Sequence, residues 1–168
     1  KEFAYAANTA DTEDSAFIID SEEALIEFAR IASTFYPRTA AKVVADLDMS
    51  EYNWKPIEGF GAYEFDGGSE EGYTINGLKA PLFATTNAAI SNVKLTNVNY
   101  TVTDLAHSGA IACNLNDGSL NNCSAAGAIN INNTTFTSTS LKKTYNDIGH
   151  GGLVGFASAA TFTNCTND

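Results

Sequence analysis

From Phe17 onward the apolar positions of this chain follow two different rhythms. In the first, Leu25, Phe28, Ala29, Ala32 and Phe35 recur at three- and four-residue steps, the apolar stripe of an amphipathic helix. Asp20 or Ser21 offers the N-cap, Glu22 and Glu23 place negative charge in the first turn, and Asp20 with Glu23 has capping-box spacing. Pro37 cannot continue a helix, so the pattern predicts one over about residues 20–36, stopping near Phe35 or Tyr36. The run Phe17-Ile18-Ile19 ahead of it predicts a strand. In the second rhythm, after Pro37, short β-branched or aromatic runs alternate with turn residues. Lys42–Leu47 and Tyr73–Ile75 predict strands, and Glu64–Gly68 carries turn glycines. From Ala80 to Asp168 no helical period exists, and apolar pairs alternate with Asn, Thr, Ser and Gly.

That second region repeats itself. Ala80-Pro81-Leu82-Phe83-Ala84 leads to Ile90-Ser91-Asn92-Val93. Gly109-Ala110-Ile111-Ala112-Cys113 leads to Leu120-Asn121-Asn122-Cys123, and Gly151-Gly152-Leu153-Val154-Gly155 to Phe162-Thr163-Asn164-Cys165. Each copy has a small-residue start, an apolar pair, a turn, then apolar-x-Asn-apolar. A third segment follows in two copies, Val98–Val102 and Ala128–Ile131, and a fainter apolar-x-Asn-apolar-like stretch stands at Ile75-Asn76-Gly77-Leu78. The first two copies start about 29 residues apart. The third is delayed by extra residues, assigned to an insertion at about 134–147.

Three short strands per repeat of this length predict a right-handed parallel β-helix (a β-solenoid) of about three to four coils, mainly β, with an N-terminal capping α-helix. Residues 1–16 read as a loosely held leader, 17–79 as the cap and first coil, and 80–168 as the repeats. Stacking would put Cys123 and Cys165 in the interior on Val93, with Leu78 beneath, as small hydrophobes. A disulfide between them is left open. Asn92, Asn122 and Asn164 then serve the turns, where Asn tolerates left-handed backbone and bonds within a stack. The helix would act as a lid over an end that otherwise exposes apolar cross-section and free strand edges. The third copy stops before a third strand, so that end is expected to be covered by further chain, another domain or another subunit.

These residues resemble the GLUG repeat, above all Gly151-Gly152-Leu153-Val154-Gly155 with Thr161-Phe162-Thr163-Asn164-Cys165. The lead-in is similar too. It runs through Asp46-Leu47-Asp48-Met49-Ser50, Trp54-Lys55-Pro56-Ile57, Phe65-Asp66-Gly67, Thr74–Leu78 and Leu82-Phe83. The second copy, with Ala112 and Cys113, is degenerate. The resemblance implies a bacterial extracellular or cell-surface setting, often in Bacteroides-like gut species, and an adhesin-like or spacer role. Such repeats also stand beside the catalytic domain of some IgA-cleaving proteases. It supplies no catalytic residue.

Composition narrows the partners. With 44% hydrophobic and 17% charged residues in 168, the chain is a folded domain rather than a disordered one. A net charge of -11 argues against nucleic acid and against an anionic membrane surface, and no stretch is long and apolar enough for membrane insertion. No stretch reads as a signal peptide, and the start at Lys1 suits a mature or trimmed product and equally a fragment cut for expression. Three cysteines make no disulfide framework.

Candidate chemistry is sparse. His107 and His150 lie in Gly-flanked loops at unrelated repeat positions, outside any zinc-binding pattern. Asp46, Asp48 and Glu51 cluster in the manner of oxygen ligands for calcium, but match no EF-hand or nonapeptide loop. The resemblance makes them a structural corner. The acids after Ala80 form no hydrolase pair, and no serine has a nucleophile-elbow context. Tyr36, Tyr52, Trp54, Tyr63 and Tyr73 read as filling beneath the lid rather than as an exposed sugar-stacking row. The Asn99-Tyr100-Thr101 sequon is the kind an Asn- and Thr-rich chain produces by chance. No catalytic, cofactor or metal residue is therefore assigned. The expected function is a non-enzymatic extracellular or cell-surface module, adhesin-like or a structural spacer in a larger bacterial surface protein. The alternative is a carbohydrate-binding module or remnant of a β-helix polysaccharide-active enzyme.

Overall fold

The computed structural model describes residues 16–34, 38–68, 72–103, 106–132, 136–138, 143–145 and 149–168. The expected leader, apart from Ala16, lies outside them, as do Phe35, Tyr36 and Pro37. The fold is mainly β, with parallel sheets and, among the described residues, one α-helix. Strand β1 (Phe17–Ile19) leads into helix α1 (Glu22–Ala32), then β2 (Thr39–Val43) and β3 (Leu47–Asp48), followed by a 3-10 turn at Met49–Glu51. Next come β4 (Ala62–Asp66) and β5 (Ile75–Asn76), then β6 (Phe83–Thr86), β7 (Ala89–Ser91) and β8 (Lys94–Val102). After β9 (His107–Ser108) stand β10 (Ala112–Asn116), β11 (Ser119–Asn121) and β12 (Ser124–Ile131). The chain continues through β13 (Phe136–Ser138), β14 (Lys143–Tyr145) and β15 (Gly149–His150) to β16 (Val154–Ser158), β17 (Thr161–Thr163) and β18 (Thr166–Asn167).

Three parallel sheets collect most of these strands in chain order, and β9 and β15 form a further parallel pair. The first is β1-β2-β4-β7-β11-β17, the second β3-β5-β8-β12-β18, and the third β6-β10-β16, which Ile57 extends by a bridge to Phe83. The three sequence copies are in register. Ile90 pairs with Leu120 and Leu120 with Phe162; Phe83 pairs with Ala112 and Ala112 with Val154. Two of the ladders hold more than four strands, six in the first sheet and five in the second, while the third holds three and the Ile57 bridge. The lead-in forms levels of its own, and Phe65 pairs with Ile90. The third copy reaches the second sheet as β18, beyond the point where the sequence pattern stops. The antiparallel pair β13–β14 lies within the expected insertion and stands apart from the three sheets.

Inward side chains from all three sheets meet in one hydrophobic cluster. Phe28 of α1 joins the helix to it, with ring centroids 5.8 Å from both Phe17 and Phe65, and Phe65 meets Phe83 edge-on at 5.6 Å. Ile31 is buried as well, a core position the apolar stripe did not include. The N-cap is Ser21, whose Oγ accepts the Ala24 N–H at 3.3 Å, so Asp20 and Glu23 form no capping box. The helix ends at Ala32, short of the expected residue 36, because its last turn tightens. Thr34 donates its N–H to the Ile31 carbonyl at 3.0 Å and its hydroxyl to the same oxygen at 2.6 Å. The chain at Gly61 passes so close to the Ala32 backbone that a Cβ there would overlap it. The single strand expected over Lys42–Leu47 is divided into β2 and β3, which belong to different sheets.

Two assignments in the interior separate. Cys123 stands on Val93, each 1% exposed, and Cys165 follows in register. Leu78 is not beneath them. Its strand β5 pairs with β8, Ile75 opposite Leu95, and the Leu78 carbonyl accepts the Asn99 N–H. The position under Val93 belongs to the Phe65–Gly68 segment, because Asp66 pairs with Ser91 and the Gly67 N–H bonds the Ser91 carbonyl. A Cβ on Gly67 would run into the Asn92 carbonyl. Glycine thus takes the place that asparagine fills one level later.

One ladder position samples both environments. Phe65 is 0% exposed, whereas Phe162, three levels on, is 46% exposed. Phe65→Ala should cost about 3–5 kcal/mol in a urea unfolding measurement, and Phe162→Ala no more than about 1 kcal/mol. Equal costs would mean that the register places them in equivalent surroundings.

Candidate functional site

Of the three clustered acids, Asp46 and Asp48 are committed to hydrogen bonds. Asp46 Oδ1 accepts the Thr74 N–H at 2.7 Å and the Thr74 hydroxyl at 3.1 Å. Asp48 Oδ1 accepts the Ser50 N–H at 3.1 Å, capping the 3-10 turn, and the Asn76 amide at 2.9 Å. Asn76 Oδ1 in turn accepts from Thr96 Oγ1 and from Asn97 Nδ2. Glu51 takes no part in this chain of bonds. Asn76 first and then Ser50 hold the Asp48 carboxyl below the usual carboxylate range.

A second column rises at another corner. Asp66 Oδ1 accepts the Gly68 N–H and the Asn92 amide, both at 2.9 Å, and Asn92 Oδ1 accepts Asn122 Nδ2 at 3.0 Å. Asn92, Asn122 and Asn164 all adopt left-handed backbone, at φ 58, 56 and 51. Short polar side chains tolerate this region better than other L-residues do. Each column has the same logic. A primary amide donates toward one neighbour and accepts from the other, while an ionised carboxylate only accepts, so an aspartate terminates the series. The recurrence of Asn was visible in the sequence; the aspartates at Asp48 and Asp66 were not recognised as its ends. Their signal was an acidic residue one level before the first Asn of each series.

The two histidines, expected at unrelated positions, are on neighbouring paired strands. In the β9–β15 pair His107 stands opposite Gly149 and His150 opposite Ser108. The delay of the third copy concealed this in the sequence. His107 stacks on Phe156 at 4.9 Å. Neither ring nitrogen of His150 has a hydrogen-bond partner among the described residues. Burial, assisted by the charge of His107, lowers the His150 pKa, favouring the neutral ring. Among the described residues no group of three or more His, Cys, Asp or Glu is placed to hold a metal ion.

Trp54 is buried and donates its indole N–H to the Pro81 carbonyl at 2.9 Å. Tyr52 and Tyr73 pack, half-buried, against the core, and the Tyr52 hydroxyl donates to Glu23 at 2.8 Å. Arg38 lies 5.8 Å from the Tyr63 ring centroid and donates to the Phe60 and Ala62 carbonyls and to Asn87. Tyr36 lies outside the described residues. An open groove of ≈ 540 Å³ runs between α1 and the segment 53–58, bounded by Ile26, Ala29, Arg30, Trp54, Lys55 and Pro56. Buried Tyr100 shares a 2.8 Å hydrogen bond with Ser108, and desolvation pushes its phenol up to about 12. Burial likewise raises Cys113 to about 11. Both are therefore protonated near neutral pH. Among the described residues no helix is long and apolar enough to cross a membrane.

No family model, no curated protein and no solved structure matches this chain.

Two measurements test the columns. Asn122→Ala loses a cross-level bond and sets a Cβ-bearing, non-amide residue at φ 56, so it should destabilise by about 1–2 kcal/mol. Asn122→Gly should recover the backbone share; equal losses would show that φ carries no strain. In an NMR titration, Asn76→Ala should raise the Asp48 pKa toward its ordinary value. Since the folded-state pKa is the lower one, the stabilising contribution is complete above the ordinary carboxylate pKa. It disappears as pH falls through the depressed value.

Proposed function

We propose that this chain is a non-enzymatic extracellular or cell-surface module, adhesin-like or a structural spacer, belonging to a larger bacterial surface protein. In this reading the three sheets wrap into a closed right-handed parallel β-helix of the GLUG-repeat kind, with α1 as its lid. The observation that carries it is the register of the three sequence copies, in which equivalent residues stack from level to level. Polar residues that recur with the repeat enter columns of hydrogen bonds between levels, a use suited to building length. At the far end β16, β17 and β18 each pair with one neighbouring strand among the described residues, and Phe156 and Phe162 are each 46% exposed. Further chain, another domain or another subunit covers that edge in this reading.

Protease shaving of intact cells that produce the full-length protein should release peptides from this region. Recovery only after lysis contradicts the surface assignment. On a glycan array the chain should bind no defined polysaccharide. Micromolar binding that is lost in Tyr52→Ala or Tyr63→Ala would establish the carbohydrate-binding alternative instead.

A further inference from the structure

We propose that Cys123 and Cys165 are an oxidisable pair whose disulfide stitches the level of β17 and β18 to the level beneath it. The cysteines follow corresponding strands, and the backbone is in register on both sides of them. Leu120 pairs with Phe162 and Asn121 with Thr163 before them, and Ser124 with Thr166 after them. The Asn122 N–H bonds the Thr163 carbonyl at 2.8 Å, and the Thr166 N–H bonds the Cys123 carbonyl at 3.0 Å. Neighbouring parallel strands lie about 4.8 Å apart, within the Cα separation of about 4.4–6.8 Å that a disulfide spans.

The two thiols also occupy the same niche one level apart. Cys123 Sγ donates to the Asn121 carbonyl at 3.3 Å and the Ile90 carbonyl at 3.7 Å. Cys165 Sγ donates to the corresponding carbonyls of Thr163 at 3.3 Å and Leu120 at 3.5 Å. Burial pushes Cys123 up to about 11, and the adjacent Cys165 contributes to the rise, so the two side chains sense each other. Cys113 is different. Its neighbours in register are Ala84 below and Gly155 above, so it has no sulfur partner across the ladder.

Exposure sets the order of events. Cys123 is 1% exposed, while Cys165 is only partly buried and is the sulfur a soluble oxidant meets first. With a small-molecule disulfide such as oxidised glutathione, Cys165 gives its proton to water and its thiolate attacks one sulfur, expelling one glutathione thiolate. Cys123 then loses its proton and attacks the Cys165 sulfur of the mixed disulfide, expelling the second. Two protein thiols are oxidised and one glutathione disulfide is reduced to two thiols. The bond closes the chain segment that contains β13 and β14, and it restrains the level with the least burial. In an oxidising extracellular medium it persists.

The test is oxidation of the folded protein with excess oxidised glutathione at mildly alkaline pH. Titration after denaturation should show the three thiols reduced to about one. Cleavage before Asp117 and after Lys142 separates all three cysteines. The non-reduced map should contain a Cys123–Cys165 cross-linked peptide, with Cys113 free. In Cys113→Ala the same treatment should leave no titratable thiol. Amide hydrogen exchange across β17 and β18 should slow in the oxidised form. Three surviving thiols, glutathione retained on Cys165 alone, a link involving Cys113, or a link between two chains would each overturn the proposal.

Discussion

The structure depends on parallel backbone pairing between successive levels, in register. In a parallel ladder each residue faces its equivalent one level up, so any feature that recurs in the repeat becomes a continuous column. An apolar position makes a column of core, as in Phe65, Ile90 and Leu120. An asparagine makes a column of amide bonds, as in Asn92 and Asn122. Such columns cannot be altered one level at a time without leaving a gap or an unmatched polar group. This explains why chemistry-bearing side chains that recur with the repeat are spent on structure.

The columns must also end. Asp66 and Asp48 terminate two of them on the side nearest the N-terminus, because a carboxylate accepts from the last amide and asks for nothing below. The apolar interior is met there by α1, which inserts Phe28 against Phe65. Acidic residues hold the helix to the first levels, with Glu22 accepting the Asp48 N–H at 2.7 Å and Glu23 the Tyr52 hydroxyl. Charge in the first helical turn therefore serves both the dipole and a tertiary tether. At the other edge the equivalent positions remain exposed, and Cys165 is the partly covered partner of a buried twin.

The amino-acid sequence by itself determined the helix, the β character of the remainder, the equivalence of the three copies, and the stacking of Val93, Cys123 and Cys165. All of these follow from local periodicity or from literal self-similarity. It also determined which turns carry asparagine, since left-handed backbone selects for that residue within a few positions of chain. Tertiary structure alone decided which earlier segment lies under the first full copy. Ile75–Leu78 resembles the second segment by spelling, yet Phe65–Gly68 occupies the place, because strand pairing follows the path of the backbone rather than residue likeness. The aspartates that close the columns act on asparagines 26 and 28 residues away, and the two histidines become neighbours only when the delayed third copy is folded back into register. Spacing along the chain cannot report these relations, since turns and insertions of unequal length separate residues that the ladder brings within one strand spacing.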